Sequence, residues 1–312
     1  MNVITHEPVM IEEAIRLLNI RKNFLYIDAT FGMGGFTKKI LESNDCNVIS
    51  IDRDPDVKKY SSELKKVYKN RFKFILGKFG SLNSILESEN LNKINGGIVA
   101  DLGMSNLQIE DGKRGFSIKN NGPLDMRMSK IGMSADQIVN TFKEDQLSEI
   151  FWVYGQEHKS KKLASKIVYA RKKNRINTTH DLVNLVLQVK PQKNPSRTPP
   201  ATKIFQALRI FINNELEEIK NLINNSIKLL IPGARLVLIT FHSLEDRIVK
   251  NSFNKLCGFN NSVNRHLPIR DKVNNPKFRK VGKSFITPSI NEIKKNNKSR
   301  SAKLRVIERV SL

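Results

Sequence analysis

The chain has 312 residues, 39% hydrophobic and 27% charged, which is typical of a globular protein with a sizeable core. No apolar run approaches the roughly 20 residues that span a bilayer, so the composition argues against a membrane protein. The first ten residues lack the basic and apolar regions of a signal peptide. Cys46 and Cys257 have neither the number nor the spacing of a disulfide framework or a zinc site. We therefore expect a cytoplasmic protein with no metal centre and no membrane partner.

The net charge of +24 is distributed unevenly along the chain. Residues 158–203 carry twelve Lys or Arg and one Asp, and residues 247–312 carry seventeen Lys or Arg and three acids. These two segments hold all of the excess positive charge. A polyanionic partner such as a nucleic acid is the simplest explanation. A general excess of lysine in the source proteome would not explain the uneven distribution, because it would raise the net charge of the other segments as well.

Strand-like and helix-like segments alternate in the first hundred residues. The predicted strands are 24–30, 47–51, 71–76 and 96–100, and the helices between them are 36–43, 57–69 and 82–89. This alternation is typical of α/β proteins and predicts a doubly wound, mostly parallel sheet.

The alternation stops after the fourth strand, which predicts a helical insert. The insert has a capping box at Ser134 before a helix that carries Ile138 to Phe151, a basic helix over 161–173, and a helix from Thr179 to Val189. A crossover helix over 201–230, a strand over 235–240 and a last strand over 302–308 then follow, with 251–300 as loop. We expect a core of residues 1–104 and 201–312, and an insert, 105–200, for substrate recognition.

The segment Asp28-Ala-Thr-Phe-Gly-Met-Gly-Gly35 joins the first strand to the first helix of this pattern. Such a glycine turn brings bare backbone and a helix N-terminus close to a ligand. Thr37 stands where a dinucleotide fingerprint has its third glycine, and Asp52 follows Gly32 by twenty residues, where an acid binds ribose hydroxyls. A ribose without a pyrophosphate favours S-adenosylmethionine (SAM) over NAD, and Phe79 could lie against its adenine.

Several long segments elsewhere have unusual sequences that occur in a fixed order. They are Val99-Ala-Asp-Leu-Gly-Met-Ser105, Arg114-Gly-Phe-Ser117, Gly122-Pro-Leu-Asp-Met-Arg-Met128, Pro200-Ala-Thr-Lys-Ile-Phe-Gln-Ala-Leu-Arg209 and Ile239-Thr-Phe-His-Ser-Leu-Glu-Asp-Arg247. Together with His6-Glu-Pro-Val9, they closely resemble the ribosomal RNA small-subunit methyltransferase H family, formerly MraW.

This resemblance implies a class I, Rossmann-like methyltransferase that transfers a methyl group from SAM to N4 of one cytosine in the decoding centre of 16S rRNA. The implied partner is the small ribosomal subunit, and no DNA partner is expected. The implied cofactor contacts are Gly34, Gly35, Phe36, Asp52, Phe79, Asp101 and Gln108. Two positions depart from the family pattern. Phe36 replaces the usual His, and Ser105-Asn-Leu-Gln108 replaces Ser-Ser-Pro-Gln.

The chemistry requires oxygen acceptors near the methyl donor, because the amino nitrogen of cytosine is a poor nucleophile. Asp101 ends the fourth strand and suits the cationic part of the cofactor. The motif that DNA amino-methyltransferases place here is absent. Candidates for the cytosine pocket are therefore Asp125, Arg127, His242 and Asp246, with Ser243 and Glu245 beside them. An ion pair explains Asp125 and Arg127 equally well, and helix N-terminal acids explain Glu245 and Asp246. The sequence decides neither the catalytic base nor the oligomeric state.

Basic residues of the insert and the tail are candidates for phosphate contacts, because a target base must leave its stack to reach the methyl donor. They are Lys161, Lys162, Lys166, Arg171, Lys172 and Arg175 in the insert, and Lys277, Arg279 and Lys280 in the tail. Two other function classes remain open: an NAD-dependent dehydrogenase, and a non-catalytic RNA-binding assembly factor that retains the fold.

Overall fold

The computed structural model describes residues 8–192, 198–259 and 276–311, which form two compact units. The first unit comprises Met1–Gly103 and Leu216–Leu312, and the second comprises Met104–Glu215. The second boundary falls at Glu215 instead of the predicted residue 200. The reason is that Ile204, Phe205 and Leu208, which we assigned to the core domain, are buried in the hydrophobic core of the second unit.

The first unit contains one seven-stranded sheet. Its strands are β1 Leu25–Asp28, β2 Asn47–Asp52, β3 Phe72–Leu76, β4 Gly97–Asp101, β5 Arg235–Thr240, β6 Phe278–Lys280 and β7 Lys303–Arg309. They lie in the order β3-β2-β1-β4-β5-β7-β6. The first five strands are parallel, β7 is antiparallel to β5, and β6 is antiparallel to β7. The doubly wound, mostly parallel sheet is therefore confirmed, as is the last strand.

Strand order reverses at β1, which lies between β2 and β4. In open α/β sheets, ligands bind beyond the carboxyl ends of the strands at such a switch point. The two sheet faces bury separate clusters, because side chains alternate along each strand. Tyr26 and Val48 belong to one cluster, and Ile27 and Ile49 belong to the other.

Helices cover the sheet, and the three predicted between the first strands are confirmed with small shifts of their ends. The helices of the first unit are α1 Ile11–Leu18, α2 Gly35–Ser43, α3 Lys58–Tyr68, α4 Leu82–Ser88, α11 Glu215–Leu229 (from Leu216 onward), α12 Ser243–Leu256 and α13 Ile290–Lys295. The helix α1 was not predicted. The assignment of 251–300 to loop was wrong at three places, because α12 continues to Leu256 and because β6 and α13 form later. Residues 260–275 lie outside the described ranges.

The second unit is helical around its own core of buried apolar side chains. Its helices are α5 Asn106–Glu110, α6 Ala135–Thr141, α7 Glu144–Val153, α8 Ser160–Arg171, α9 Thr179–Val189 and α10 Thr202–Asn213. Ser134 forms the predicted capping box, with Gln137 as its partner. The predicted helix from Thr179 to Val189 is confirmed as α9, and its cap is Thr178.

Two helices predicted as continuous are each broken in the structure. Phe142 has extended backbone and separates α6 from α7. Asn214, at φ 53°, ends α10 in the left-handed conformation, so 201–230 forms two helices instead of one crossover helix. Asparagine tolerates that conformation, which is a common way to terminate a helix. None of the helices in the described ranges combines the length and the hydrophobicity that a membrane span requires.

Candidate functional site

The glycine turn lies between β1 and α2, at the switch point of the sheet. Gly32 and Gly34 have φ values of 55° and 84°, which favour glycine. A Cβ atom on Gly34 would also lie 2.5 Å from Leu64 Cδ1, so any other residue would have to displace that side chain. The first amides of α2 have no acceptor within their own helix and carry the positive end of its dipole. The turn thus presents donors to a ligand.

Asp52, at the end of β2, is joined directly to this turn. Its Oδ2 accepts a hydrogen bond from the Gly32 amide at 2.7 Å, and its Oδ1 accepts one from the Asp54 amide at 2.9 Å. Burial raises the pKa of the Asp52 carboxyl to about 6. Each carboxylate oxygen has a second lone pair. The side chain can therefore accept hydrogen bonds from two vicinal hydroxyl groups while it holds the turn.

Asp28, at the end of β1, forms hydrogen bonds with residues of the glycine turn. It was not among the predicted site residues. The side chain is fully buried, and its carboxylate accepts from the Thr30 amide at 3.1 Å and from Thr37 Oγ1 at 2.7 Å. Thr37 Oγ1 also lies 2.6 Å from Ser50 Oγ. Burial raises the pKa of Asp28 to about 6. The sequence could have indicated this role, because an acid at the end of a buried strand needs hydrogen-bond donors nearby.

Asp101, at the end of β4, carries a buried oxygen atom with no hydrogen-bond partner among the described residues. Its backbone amide donates to Thr30 Oγ1 at 2.7 Å, which fixes it beside the turn. Burial raises the pKa of Asp101 well above its ordinary value, and the nearby carboxyl groups of Asp28, Glu245 and Glu292 raise it further. A cationic or hydrogen-bond-donating ligand would satisfy this oxygen and favour its ionised form.

The two predicted phenylalanine contacts differ in exposure. Phe79 lies in a short 3₁₀ turn after β3 and is half-buried. Glu218 and Asn225 of α11 hold the next residue, Gly80, through its amide at 3.0 Å and its carbonyl at 2.8 Å. Phe36 is buried in the core, at 3% exposure. Any contact that this position makes with a ligand is therefore made through its backbone at the start of α2, for which a histidine ring is not required.

The loop after β5 is organised by Glu245, which is fully buried. Its Oε2 accepts from the Phe241 amide at 2.8 Å, and its Oε1 lies 3.0 Å from His242 Nε2. His242 and Glu245 form a capping box at the start of α12. This geometry agrees with the structural alternative for Glu245, in which it is an acid at the N-terminus of a helix. The His242 ring lies against its carboxylate.

Asp246 is engaged in a structural ion pair, which argues against its assignment to the cytosine pocket. Its two oxygens accept hydrogen bonds from Arg305 Nε at 2.7 Å and from Lys303 Nζ at 2.9 Å, both on β7. Burial alone would raise the pKa of Asp246, but these two cations lower it below the ordinary value. The side chain thus joins α12 to the sheet, because both of its carboxylate oxygens accept hydrogen bonds from β7.

Within the second unit, Asp125 and Arg127 form a two-pronged ion pair. Arg127 Nε lies 2.9 Å from Asp125 Oδ1, and Nη2 lies 2.7 Å from Oδ2. Despite partial burial, the guanidinium lowers the pKa of Asp125. The surrounding backbone is fixed by Asn213, which bonds Met126 O and Met128 N, each at 2.8 Å. The two side chains are each about one quarter exposed.

Gln108 also belongs to the second unit, where it has a structural role. Its Oε1 accepts from the Ser105 amide at 3.1 Å, and its own amide donates to Ser105 Oγ at 3.3 Å. This capping box begins α5, although Asn106-Leu107 replaces the family's usual residues there. A cofactor contact by Gln108 stays a prediction.

The predicted phosphate-binding residues separate into two groups. Lys161, Lys162 and Lys172 are exposed on or beside α8. In contrast, Arg171 donates to the carbonyl oxygens of Val139 and Phe142 and supports the fold. The remaining arginines form ion pairs: Arg175 with Asp136, and Arg279 with Glu308.

Comparison with known proteins places this arrangement in a family. The sequence matches the MraW methylase family over residues 3–310. The chain belongs to that family. The doubly wound sheet of this MraW-family protein is accordingly that of a class I, Rossmann-like methyltransferase.

Named relatives align with the MraW-family chain over almost its whole length. The ribosomal RNA small subunit methyltransferase H of Rhodospirillum rubrum is 41% identical over 314 residues, which cover 99% of this chain and 96% of the relative. The protein of the same name from Wolbachia sp. subsp. Drosophila simulans is 41% identical over 98% of this chain and 100% of its own length. The solved structure of an rRNA methylase from Streptococcus thermophilus is 11% identical, covers 96% of this chain and 94% of its own, and gives a TM-score of 0.40.

Proposed function

We propose that this protein is a SAM-dependent methyltransferase that modifies N4 of a specific cytosine in the decoding centre of 16S rRNA. The observation that supports this most directly is the geometry at the switch point. There, the glycine turn follows β1, Asp52 ends the neighbouring β2, and Asp101 ends β4 on the other side. Among the described residues, Asp101 Oδ1 has no hydrogen-bond partner. The names of the relatives support small-subunit rRNA as the substrate. With that substrate, the proposed reaction is a cytoplasmic one.

The residues at the switch point fit SAM chemically. Asp52 can accept from both ribose hydroxyls, and the half-buried Phe79 offers an aromatic face to the adenine. Asp101 Oδ1, which has no hydrogen-bond partner within the described ranges, suits a positively charged group of the methionine portion. The amides that begin α2 at Gly35 and Phe36 complete the set of donors. A dinucleotide is a poorer fit, because Thr37 is buried where the third glycine would stand.

When bound, SAM supplies an electrophilic methyl group on a sulfonium. The protein then has to hold the cytosine amino nitrogen in line with that methyl group and to accept the proton that the nitrogen loses. The Asp125–Arg127 pair is a candidate for the cytosine edge, because its carboxylate can accept from the amino group and its guanidinium can donate to a ring acceptor. His242 is the second candidate. Asp246 is a poor candidate, because its carboxylate is paired with two cations of β7, Arg305 and Lys303, which make it a weak proton acceptor.

The helical unit supplies the RNA-binding surface in this proposal. Lys161, Lys162 and Lys172 are exposed cations that can neutralise phosphates while the target base is unstacked. Binding of a folded rRNA needs several such contacts, so an assembled or nearly assembled small subunit is the expected substrate and free cytidine is inert.

The test is transfer of a labelled methyl group from SAM to small subunits that lack the modification, followed by digestion and nucleoside analysis. The expected product is N4-methylcytidine at one position. Label at cytosine C5 or on another base would refute the N4 assignment. Binding of NADH in place of SAM in calorimetry would favour a dehydrogenase. RNA binding without any transfer would favour an assembly factor.

A further inference from the structure

The C-terminal helix α13 reaches the segment that precedes α1, far away in the sequence. Glu292 Oε1 accepts a hydrogen bond from the Met10 amide at 2.7 Å. Glu292 is itself held in place, since its amide donates to Ser289 Oγ at 3.1 Å and so caps α13. Both ends of this contact lie in the first unit.

Met10, which donates this hydrogen bond, has an unusual backbone conformation. Its φ of 54° places it in the left-handed region, where methionine is uncommon, and it is 1% exposed. The backbone turns sharply there before α1 begins at Ile11. A conformation of this kind persists only where neighbouring groups hold it. The carboxylate of Glu292 is such a group, because it satisfies the Met10 amide outside α1.

The restrained segment lies directly against the glycine turn. A Cβ atom on Gly35 would overlap the ring of Pro8, so the proline occupies the space beside the first residue of α2. Pro8 is only two residues from Met10. The hydrogen bond that the Met10 amide donates to Glu292 therefore limits where Pro8 lies against Gly35. Glu292 also belongs to the group of acids around Asp101 and contributes to the raised pKa of that side chain.

We infer that Glu292 is a positioning residue for the cofactor, because it holds the segment 8–10 against Gly35 and keeps the first turn of α2 in its binding geometry. This inference rests on the proposed function, since it assumes that SAM occupies the glycine turn. It assigns a role to a tail helix that carries none of the predicted site residues.

The test compares SAM affinity, by calorimetry, in the wild-type protein, Glu292→Ala, Glu292→Gln and the control Glu63→Ala, an exposed acid on α3. Loss of the acceptor in Glu292→Ala should weaken binding about tenfold. Glutamine retains an acceptor oxygen, so Glu292→Gln should bind within about twofold of wild type, as should the control. In Glu292→Ala, amide exchange should accelerate at Met10 and stay slow at the amides of the sheet, which would show that the rest of the variant is folded.

Wild-type affinity in Glu292→Ala would overturn the inference while leaving the proposed function intact. Equal weakening in Glu292→Ala and Glu292→Gln would also overturn it, because the charge and not the hydrogen bond would then matter. Absence of SAM binding by the wild-type protein would instead refute the proposed function, and this inference with it.

Discussion

Asp52 Oδ2 lies 2.7 Å from the backbone nitrogen of Gly32, so the acid that ends β2 and the first glycine of the turn form one hydrogen-bonded unit. The same carboxylate thus orients the turn and offers its remaining lone pairs to a ribose. Asp28 and Asp101 surround the same turn, and the pKa of each carboxyl group is raised by burial. Because Asp28, Asp52 and Asp101 are buried beside one another, the charge of this site depends on pH.

The pKa of about 6 for Asp52 predicts that SAM binding weakens in mild acid. The ionised carboxylate accepts the ribose hydrogen bonds, so affinity should be full above pH 6 and fall as the pH drops through it. At pH 5, about one tenth of the groups are ionised, which predicts about tenfold weaker binding than at pH 7. Calorimetry across pH 5 to 8 measures this. Asp52→Asn should bind more weakly throughout and change less with pH, and an equally steep dependence in that variant would contradict the assignment.

Asp246 is expected to contribute to stability and not to catalysis. Asp246→Asn removes the partner of Arg305 and Lys303 and should lower the free energy of unfolding by about 2 kcal/mol at pH 7. Since the pKa of Asp246 is lowered in the folded state, this advantage exists above the ordinary aspartate pKa and disappears as the pH falls through the folded value. Denaturant titrations at several pH values measure it.

The matched control is Glu217→Gln, which removes the same charge from an exposed ion pair with Lys220 and should change stability little. SAM affinity and methyl transfer of Asp246→Asn, measured well below its melting temperature, should remain close to wild type. A stable variant that has lost methyl transfer would restore Asp246 as a candidate for the cytosine pocket.

The parts of the fold that depend on local pattern could be predicted from the sequence. Apolar runs and the glycine turn predicted β1, β2 and α2, because periodicity and backbone freedom are properties of neighbouring residues. The breaks at Phe142 and Asn214 were missed, since the apolar spacing continues across them and only tertiary packing decides where a helix ends.

The candidate site was predictable to a similar extent. Asp52 and Asp101 could be found because strand ends are visible in the sequence. The partners of Asp246 could not be predicted, since β7 lies almost sixty residues further along the chain. For the same reason the contact of Glu292 with Met10 has no sequence signal. Long-range ion pairs and hydrogen bonds depend on the fold as a whole and leave no local periodicity.

The Asp125–Arg127 pair should matter for the rRNA substrate and not for SAM. Arg127→Ala and Arg127→Lys both remove the two-pronged geometry, which a lysine cannot reproduce. We expect the rate of transfer to small subunits to fall at least about tenfold in each, with SAM affinity within about twofold of wild type. Glu144→Ala, which removes an exposed charge from α7 in the same unit, is the control. Normal transfer by both Arg127 variants would leave the pair with a structural role only.

The exposed lysines of the second unit should contribute electrostatically to RNA binding. Replacing Lys161, Lys162 and Lys172 together by glutamine should weaken binding to small-subunit rRNA and reduce the dependence of log K on log salt by about 2 to 3, as expected for three lost phosphate contacts. The control replaces Lys58, Lys59 and Lys66 of α3, which are equally exposed and carry the same total charge. Filter binding between 50 and 300 mM salt, about the range over which such contacts are screened, measures both sets. An identical loss of slope in the two sets would mean that overall charge, and not this surface, binds the RNA.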